Sequence, residues 1–242
     1  ARHVPPQQLQ RAMCDDYGPD WELLVYGFEM KPLAAAAIGQ VHRTLSPEGR
    51  DIVLKVQYPG VADSIDSDVD NIASLLKLSG LLPADIDIQP LLDDAKVQLK
   101  DETDYLKEAG FLSAFGQLLQ ADERFLVPEV LPELTHRNVL AMTYVSGCPI
   151  ESVIDLPQAE RDRVMTALIE LMLLEFFELR MVQTDPNFSN YQYKPDTGEI
   201  VLLDFGATRR FKASFVKDYK RLARAAIAGD RVKLVAASER LG

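Results

Sequence analysis

Residues 52–57 constrain this chain most. Ile52, Leu54 and Val56 alternate with Val53, Lys55 and Gln57, which is the period of a strand. The turn Ser46-Pro47-Glu48-Gly49 precedes the run, and Pro59-Gly60 closes it. Residues 38–45 supply a neighbouring strand on the other side of that turn. A lysine within such a strand is either a solvent-facing residue or a charge placed for a ligand.

Beyond this β-rich stretch the texture changes twice. Residues 5–26 look helical with a break at Gly18-Pro19. After the strands, Val61, Ile65, Val69, Ile72, Leu75 and Leu76 recur at helical spacing, with Asp63, Asp66 and Asp70 turned elsewhere. A second helical tract covers about 90–120, with its weak point expected at Gly110. Residues 128–145 return to strand texture, and Gly147 and Pro149 mark a linker. Pro157 then opens a helix carrying the apolar run 164–182, expected to be buried. Glu170, Glu175, Glu178 and Arg180 interrupt that run too often for a membrane span. A loop over 183–190 leads to a hairpin of residues 191–193 and 200–203, and the last helix is expected over about 213–228.

This order of parts is that of a bilobal protein-kinase-like fold of the α+β class. Residues 1–145 would form a β-rich N-lobe with inserted helices, and residues 146–242 a mainly helical C-lobe. The hydrophobic content of 47% is ample for both cores. A net charge of −11 disfavours nucleic acid as a partner. Cys14 and Cys148 suggest no disulfide framework, which fits an intracellular compartment. His3, His42 and His136 are scattered and have no zinc-type spacing, so they read as structural.

Phosphoryl transfer from ATP needs a lysine for the α/β-phosphates, a carboxylate to orient it, two metal ligands and a carboxylate at the attacking hydroxyl. Lys55 lies on the third short strand, as a phosphate-pairing lysine would. Asp185-Pro186-Asn187-Phe188-Ser189-Asn190 has the pattern D-x-x-x-x-N after a long helix, with Asp185 as base and Asn190 as a metal ligand. Asp204-Phe205-Gly206 follows an apolar strand, with Asp204 as the other metal ligand. Each signal alone has a plain structural explanation, such as an Asx-rich turn. Their occurrence in this order is what carries weight. Several acidic residues between Lys55 and Asn138 could face the lysine, and spacing alone does not choose among them.

The runs Ala34-Ala35-Ala36-Ala37-Ile38-Gly39-Gln40-Val41-His42, Lys55-Val56-Gln57-Tyr58-Pro59-Gly60-Val61, Gln183-Thr184-Asp185-Pro186-Asn187 and Leu203-Asp204-Phe205-Gly206-Ala207-Thr208-Arg209 resemble the UbiB/ADCK family of atypical kinases, its coenzyme-Q-associated branch most. The resemblance implies ATP or ADP with Mg2+ and a role supporting coenzyme Q (ubiquinone) biosynthesis. It also implies a lipid or quinone-pathway intermediate and other coenzyme Q biosynthesis proteins as partners. The implied location is the matrix side of the mitochondrial inner membrane or the bacterial cytoplasm at the membrane periphery. The family's E-x-D motif matches Glu102-Thr103-Asp104, which makes Glu102 the implied partner of Lys55. Met142, Thr143, Tyr144 and Val145 match the hinge that would bind adenine, and Ala34, Ala35, Ala36 and Ala37 stand where protein kinases carry a glycine loop.

The departures are informative too. Alanine Cβ atoms restrict both φ > 0 and close approach of backbone amides to phosphate, so the loop is expected to hold phosphate differently. Gln183-Thr184 precedes Asp185 in place of His-Arg, and no A-P-E follows Asp204, so a small or lipid-like acceptor is expected over a protein. The family's K-x-G-Q motif finds no match, because Gly39-Gln40 and Gly116-Gln117 lack the lysine, and the second lobe is expected to be truncated. A non-catalytic nucleotide-sensing scaffold and an antibiotic-type small-molecule kinase are the alternatives. In the last helix, Phe215, Tyr219, Leu222, Ala226 and Ile227 form a stripe flanked by Lys217, Lys220, Arg221 and Arg224. Packing on the helical lobe explains that face more simply than peripheral membrane contact.

Overall fold

The computed structural model describes residues 5–36, 38–79, 88–185 and 187–241. The chain divides into two compact units, one formed by 1–147 with 194–207, the other by 148–193 with 208–242. Residues 194–207, placed with the second half on sequence grounds, thus cluster with the first.

In the first unit, α1 (Pro6–Tyr17) starts at consecutive prolines and ends at Gly18, whose φ of 85° no side chain adopts readily. The strands β1 (Ala34–Ala35), β2 (Gly39–Leu45) and β3 (Asp51–Gln57) come next. They are followed by the helices α2 (Val61–Ser79), α3 (Gln89–Glu102) and α4 (Tyr105–Leu119). Strands β4 (Phe125–Leu126) and β5 (Val139–Thr143) complete this part of the chain. The sheet order is β1-β2-β3-β5, antiparallel throughout.

Because β3 is central, it is buried on both faces, and its alternation sorts two partners rather than core from solvent. Ile52, Leu54 and Val56 pack with Leu9, Met13 and Trp21 of the N-terminal segment. On the opposite face Gln57 donates through Nε2 to Thr103 O at 2.9 Å, and Lys55 reaches a carboxylate of α4. His42 is fully buried, stacked on Phe28 and bonded through Nδ1 to Glu29 O at 2.8 Å, which is a structural role.

Gly39 at the start of β2 has no room for a side chain. A Cβ there would lie 2.4 Å from Val56 O and 2.7 Å from the Tyr105 hydroxyl. Gly39→Ala should therefore cost about 1–3 kcal/mol, because the obstacle is paired backbone. Thermal unfolding would check this, with Gly110→Ala, an open helical position, as the control.

The expected helix over about 90–120 is two helices, and the break falls at Thr103-Asp104 rather than at Gly110, which lies inside α4. Local side-chain bonds decide the place. Thr103 Oγ1 donates back to Lys100 O at 2.8 Å, and Asp104 caps α4 by accepting from Lys107 N at 3.1 Å. Helices α2 and α3 pack through Ile65, Val69, Ala73 and Leu92.

The second unit begins with β6 (Cys148–Pro149) and α5 (Gln158–Leu174). The apolar run expected as one buried helix is not one. α5 gives way to a single π turn, Glu175–Leu179, then to Arg180 at φ 54° and to β7 (Met181–Gln183). Met165, Ile169, Met172 and Leu173 are exposed. Next come β8 (Tyr191–Tyr193), then β9 (Ile200–Leu202), which belongs to the first unit and pairs in parallel with β4. The turn before β9 is closed by Gly198 N donating to Lys194 O at 2.7 Å. Finally β10 (Thr208–Arg210) pairs antiparallel with β7, and α6 (Ala213–Ile227) and α7 (Arg231–Ser238) end the chain.

The stripe expected on α6 is only partly inward. Phe215 and Tyr219 join Phe176 and Phe211 in an aromatic cluster, but Ile227 is 88% exposed, and Val216 and Ala225 are the buried residues. α7 was missed from sequence, although Asp230 caps it by accepting from Lys233 N at 3.1 Å.

Candidate active site

A triad of charges, two of them buried, lies in the first unit. Lys55 Nζ donates to Glu108 Oε1 at 2.8 Å and Oε2 at 3.0 Å, and to Asp204 Oδ2 at 3.1 Å. Lys55 is 5% exposed and Glu108 2%, so the pair is cut off from water. Tyr105 lies one turn before Glu108 on the same face of α4, its ring centroid 5.3 Å from Nζ.

The carboxylate that pairs with Lys55 is therefore Glu108 and not Glu102. Glu102 ends α3, before the Thr103-Asp104 turn. Glu108 comes after the Asp104 cap and lies in the inward stripe of Tyr105, Leu112, Phe115 and Leu119. That stripe was a usable signal, because a glutamate inside a buried apolar face needs a cation.

Asp204 divides its two oxygens. Oδ2 takes the Lys55 ammonium, and Oδ1 accepts from Gly206 N at 2.9 Å. Phe205 packs on Phe115 with ring centroids 4.7 Å apart and makes a backbone hydrogen bond to Glu108. The Asp-Phe-Gly segment is thus tied to α4 through both its phenylalanine and the shared lysine.

Burial opposes every charge here, and the partners decide the outcome. Burial alone would lower the Lys55 ammonium, but the carboxylates of Glu108 and Asp204 outweigh it and raise it. Burial pushes the Glu108 carboxyl up even against the attraction of Lys55. Burial also works to raise Asp204, yet Lys55 and the Gly206 N–H prevail and hold it below the usual carboxylate range.

The alanine segment is less of a loop than expected. Ala34 and Ala35 form the edge strand β1, opposite Val41 and Gln40, and Ala36 N donates to Gly39 O at 2.9 Å. Ala37 lies outside the described residues. In the hinge stretch, Thr143 N donates to Glu129 O at 2.8 Å and Tyr144 N to Asp51 O at 3.0 Å. Those two amides are already engaged, so adenine recognition by Met142, Thr143, Tyr144 and Val145 would fall to other backbone groups.

In the second unit Asp185 is exposed and Asn190 half-buried. Asn190 Nδ2 donates to Asp185 O at 3.2 Å and Oδ2 at 3.3 Å, closing the D-x-x-x-x-N loop on itself. Asn187 Oδ1 accepts from Ser189 N at 3.0 Å. With Nδ2 committed, the remaining polar atom of Asn190 is its amide oxygen. That oxygen and the Asp204 carboxylate are hard donors of the type magnesium takes. Among the described residues, no group of three or more His, Cys, Asp or Glu side chains is arranged to hold a metal without further ligands.

A lysine on the central strand clamped by a helix glutamate, with an Asp-Phe-Gly aspartate beside it, defines a protein-kinase-like fold. The model of the ABC1 atypical kinase-like domain matches residues 1–238, and the chain belongs to that family. The mitochondrial atypical kinase coq-8 of Caenorhabditis elegans is 40% identical over the whole chain, which covers 33% of that protein. The mitochondrial atypical kinase COQ8 of Saccharomyces cerevisiae is 38% identical, again over the whole chain and 48% of its own length. The chain thus spans between a third and a half of these curated relatives. Among solved structures, the complex of Rv3197 with erythromycin from Mycobacterium tuberculosis superposes with a TM-score of 0.79 at 26% identity. That match covers 98% of this chain and 60% of the other.

Proposed function

We propose that this chain is the nucleotide-binding core of an atypical kinase or ATPase. It would bind ATP or ADP with magnesium, support coenzyme Q biosynthesis and act on a small or lipid-like molecule rather than a protein. The observation that carries this reading is the buried Lys55–Glu108 pair with Asp204 as its third member. A buried ion pair is weak evidence for stability as such, and its geometry here serves a lysine that meets phosphate.

In this reading Glu108 fixes the Lys55 ammonium, which neutralises phosphate charge. Asp204 and Asn190 would hold magnesium, which when bound supplies charge neutralisation at the β- and γ-phosphates. Asp185 positions the acceptor hydroxyl or water and takes its proton. The names of the relatives place them in mitochondria, which supports a mitochondrial location over a bacterial cytoplasmic one; the matrix side of the inner membrane is the finer part of the proposal. Among the described residues no helix is long and apolar enough to cross a membrane.

Calorimetric titration of ATP and ADP, with magnesium and with chelator, followed by phosphate-release assays, tests the proposal. Binding should be tight only with magnesium, and phosphate should be released. Equal isotherms in the two conditions would remove the metal roles of Asn190 and Asp204. Tight binding without release or transfer would make the chain a nucleotide sensor instead.

A further inference from the structure

Glu175 is a buried carboxylate that the scheme above does not use. It is 5% exposed and opens the π turn between α5 and β7. Its Oε2 accepts the backbone N–H of Gln183 at 3.1 Å. Gln183 is the last residue of β7, and only Thr184 separates it from Asp185.

The surrounding backbone is built to bring these two residues together. A π turn widens the helix at Glu175–Leu179, a feature frequent at functional sites. Arg180 then takes left-handed φ and ψ of 54° and 30°, and it is the sole non-glycine residue with positive φ among those described. Its carbonyl accepts from Phe211 N at 2.9 Å. On one edge β7 is held by β10, with Gln183 opposite Thr208. Phe176, beside Glu175, is packed by Phe211 and Tyr219 at 5.5 and 5.0 Å between centroids. The chain thus adopts two unfavourable backbone features within six residues, and beyond them the buried Glu175 carboxylate accepts an amide two residues before the D-x-x-x-x-N loop.

We propose that Glu175 is a positioning residue for the catalytic loop, acting through the Gln183 N–H to fix where Asp185 starts. The inference rests on the assignment of Asp185 as the base. It predicts that Glu175 governs turnover and leaves nucleotide affinity nearly untouched, because the nucleotide-binding lysine, Lys55, is elsewhere in the chain.

The test compares the full chain with Glu175→Gln, Glu175→Asp and Glu175→Ala. It uses ATP with magnesium as the ligand and reads hydrogen exchange at the Gln183 amide alongside kcat and ATP affinity. Glutamine keeps an oxygen acceptor at the same reach, so exchange protection and kcat should stay close to wild type. Alanine, and aspartate with its shorter arm, should speed exchange at Gln183 and lower kcat by about tenfold or more, within the range expected for a misplaced catalytic group. Their ATP affinity should stay within about twofold of wild type, well inside one tenfold step. If the alanine variant does not fold, the aspartate variant decides. Unchanged Gln183 exchange in those two variants overturns the proposal, as does a glutamine variant as impaired as they are. A wild-type chain with no turnover would instead sink the functional reading, and the exchange measurements would then judge the anchor alone.

Discussion

Lys55→Met should cost about 3–5 kcal/mol at neutral pH, because it leaves Glu108 buried without its cation. The loss should depend on pH, and its sign follows from the carboxyl. Burial already raises Glu108 above its unfolded value, and without Lys55 the main downward influence is gone. The folded state then favours the protonated acid. Stability in the variant is therefore fully present below the unfolded pKa of about 4.3, and it is lost as pH rises through the folded one. The slope there is about 1.4 kcal/mol per pH unit. Thermal unfolding at about pH 5 and about pH 8 should show a larger drop for Lys55→Met than for wild type, where Lys55 offsets part of the burial. The double variant Lys55→Met/Glu108→Leu should regain much of the loss, since a well-packed apolar pair often replaces a buried ion pair at no cost. A melting temperature in Lys55→Met that ignores pH would overturn this account of Glu108.

The second large effect is expected in turnover. Asp204→Asn keeps the size of the side chain, and its oxygen can still accept from Gly206 N. It removes the negative charge that Lys55 and a metal would share. Phosphate release should fall by about 100-fold or more, the scale for loss of one group that stabilises developing charge. The magnesium-dependent part of ATP binding should vanish, with little change in the unliganded melting temperature. Retained magnesium dependence in Asp204→Asn would show that the metal is held elsewhere.

Much of the site was legible because its signals are local. A lysine in a run of alternating apolar residues, an aspartate at the end of an apolar strand and a loop of the form D-x-x-x-x-N can each be seen within six residues. The partner of Lys55 could not be read that way. Choosing Glu102 or Glu108 requires knowing where one helix stops and how the next is rotated, and both are settled by the side chains of Thr103 and Asp104. The apolar run over 164–182 misled for a related reason. Glu175-Phe176-Phe177-Glu178-Leu179 gives no local hint of a π turn, and nothing marks Arg180 as a residue that will take positive φ. Packing in the aromatic cluster and the acceptor at Gln183 N impose those shapes, and they are tertiary.

The cap at Asp104 has a consequence for which lengths of chain this architecture can vary. Each residue turns a helix by about 100°, so α4 inherits its angular setting from the residue that starts it. Glu108 faces β3 because it lies four positions, a little more than one full turn, beyond that start. Adding or deleting residues before Thr103 leaves that angular setting of α4 unchanged, because the Asp104 cap restarts the helix. One residue gained or lost between Asp104 and Glu108 would swing the carboxylate about a quarter of the way round; a loss would bring Ala109, and a gain just after Asp104 would bring Lys107, to the position that faces Lys55. The placing of Glu108 is thus insensitive to the length of chain before Thr103, and it depends on the four-residue interval after Asp104.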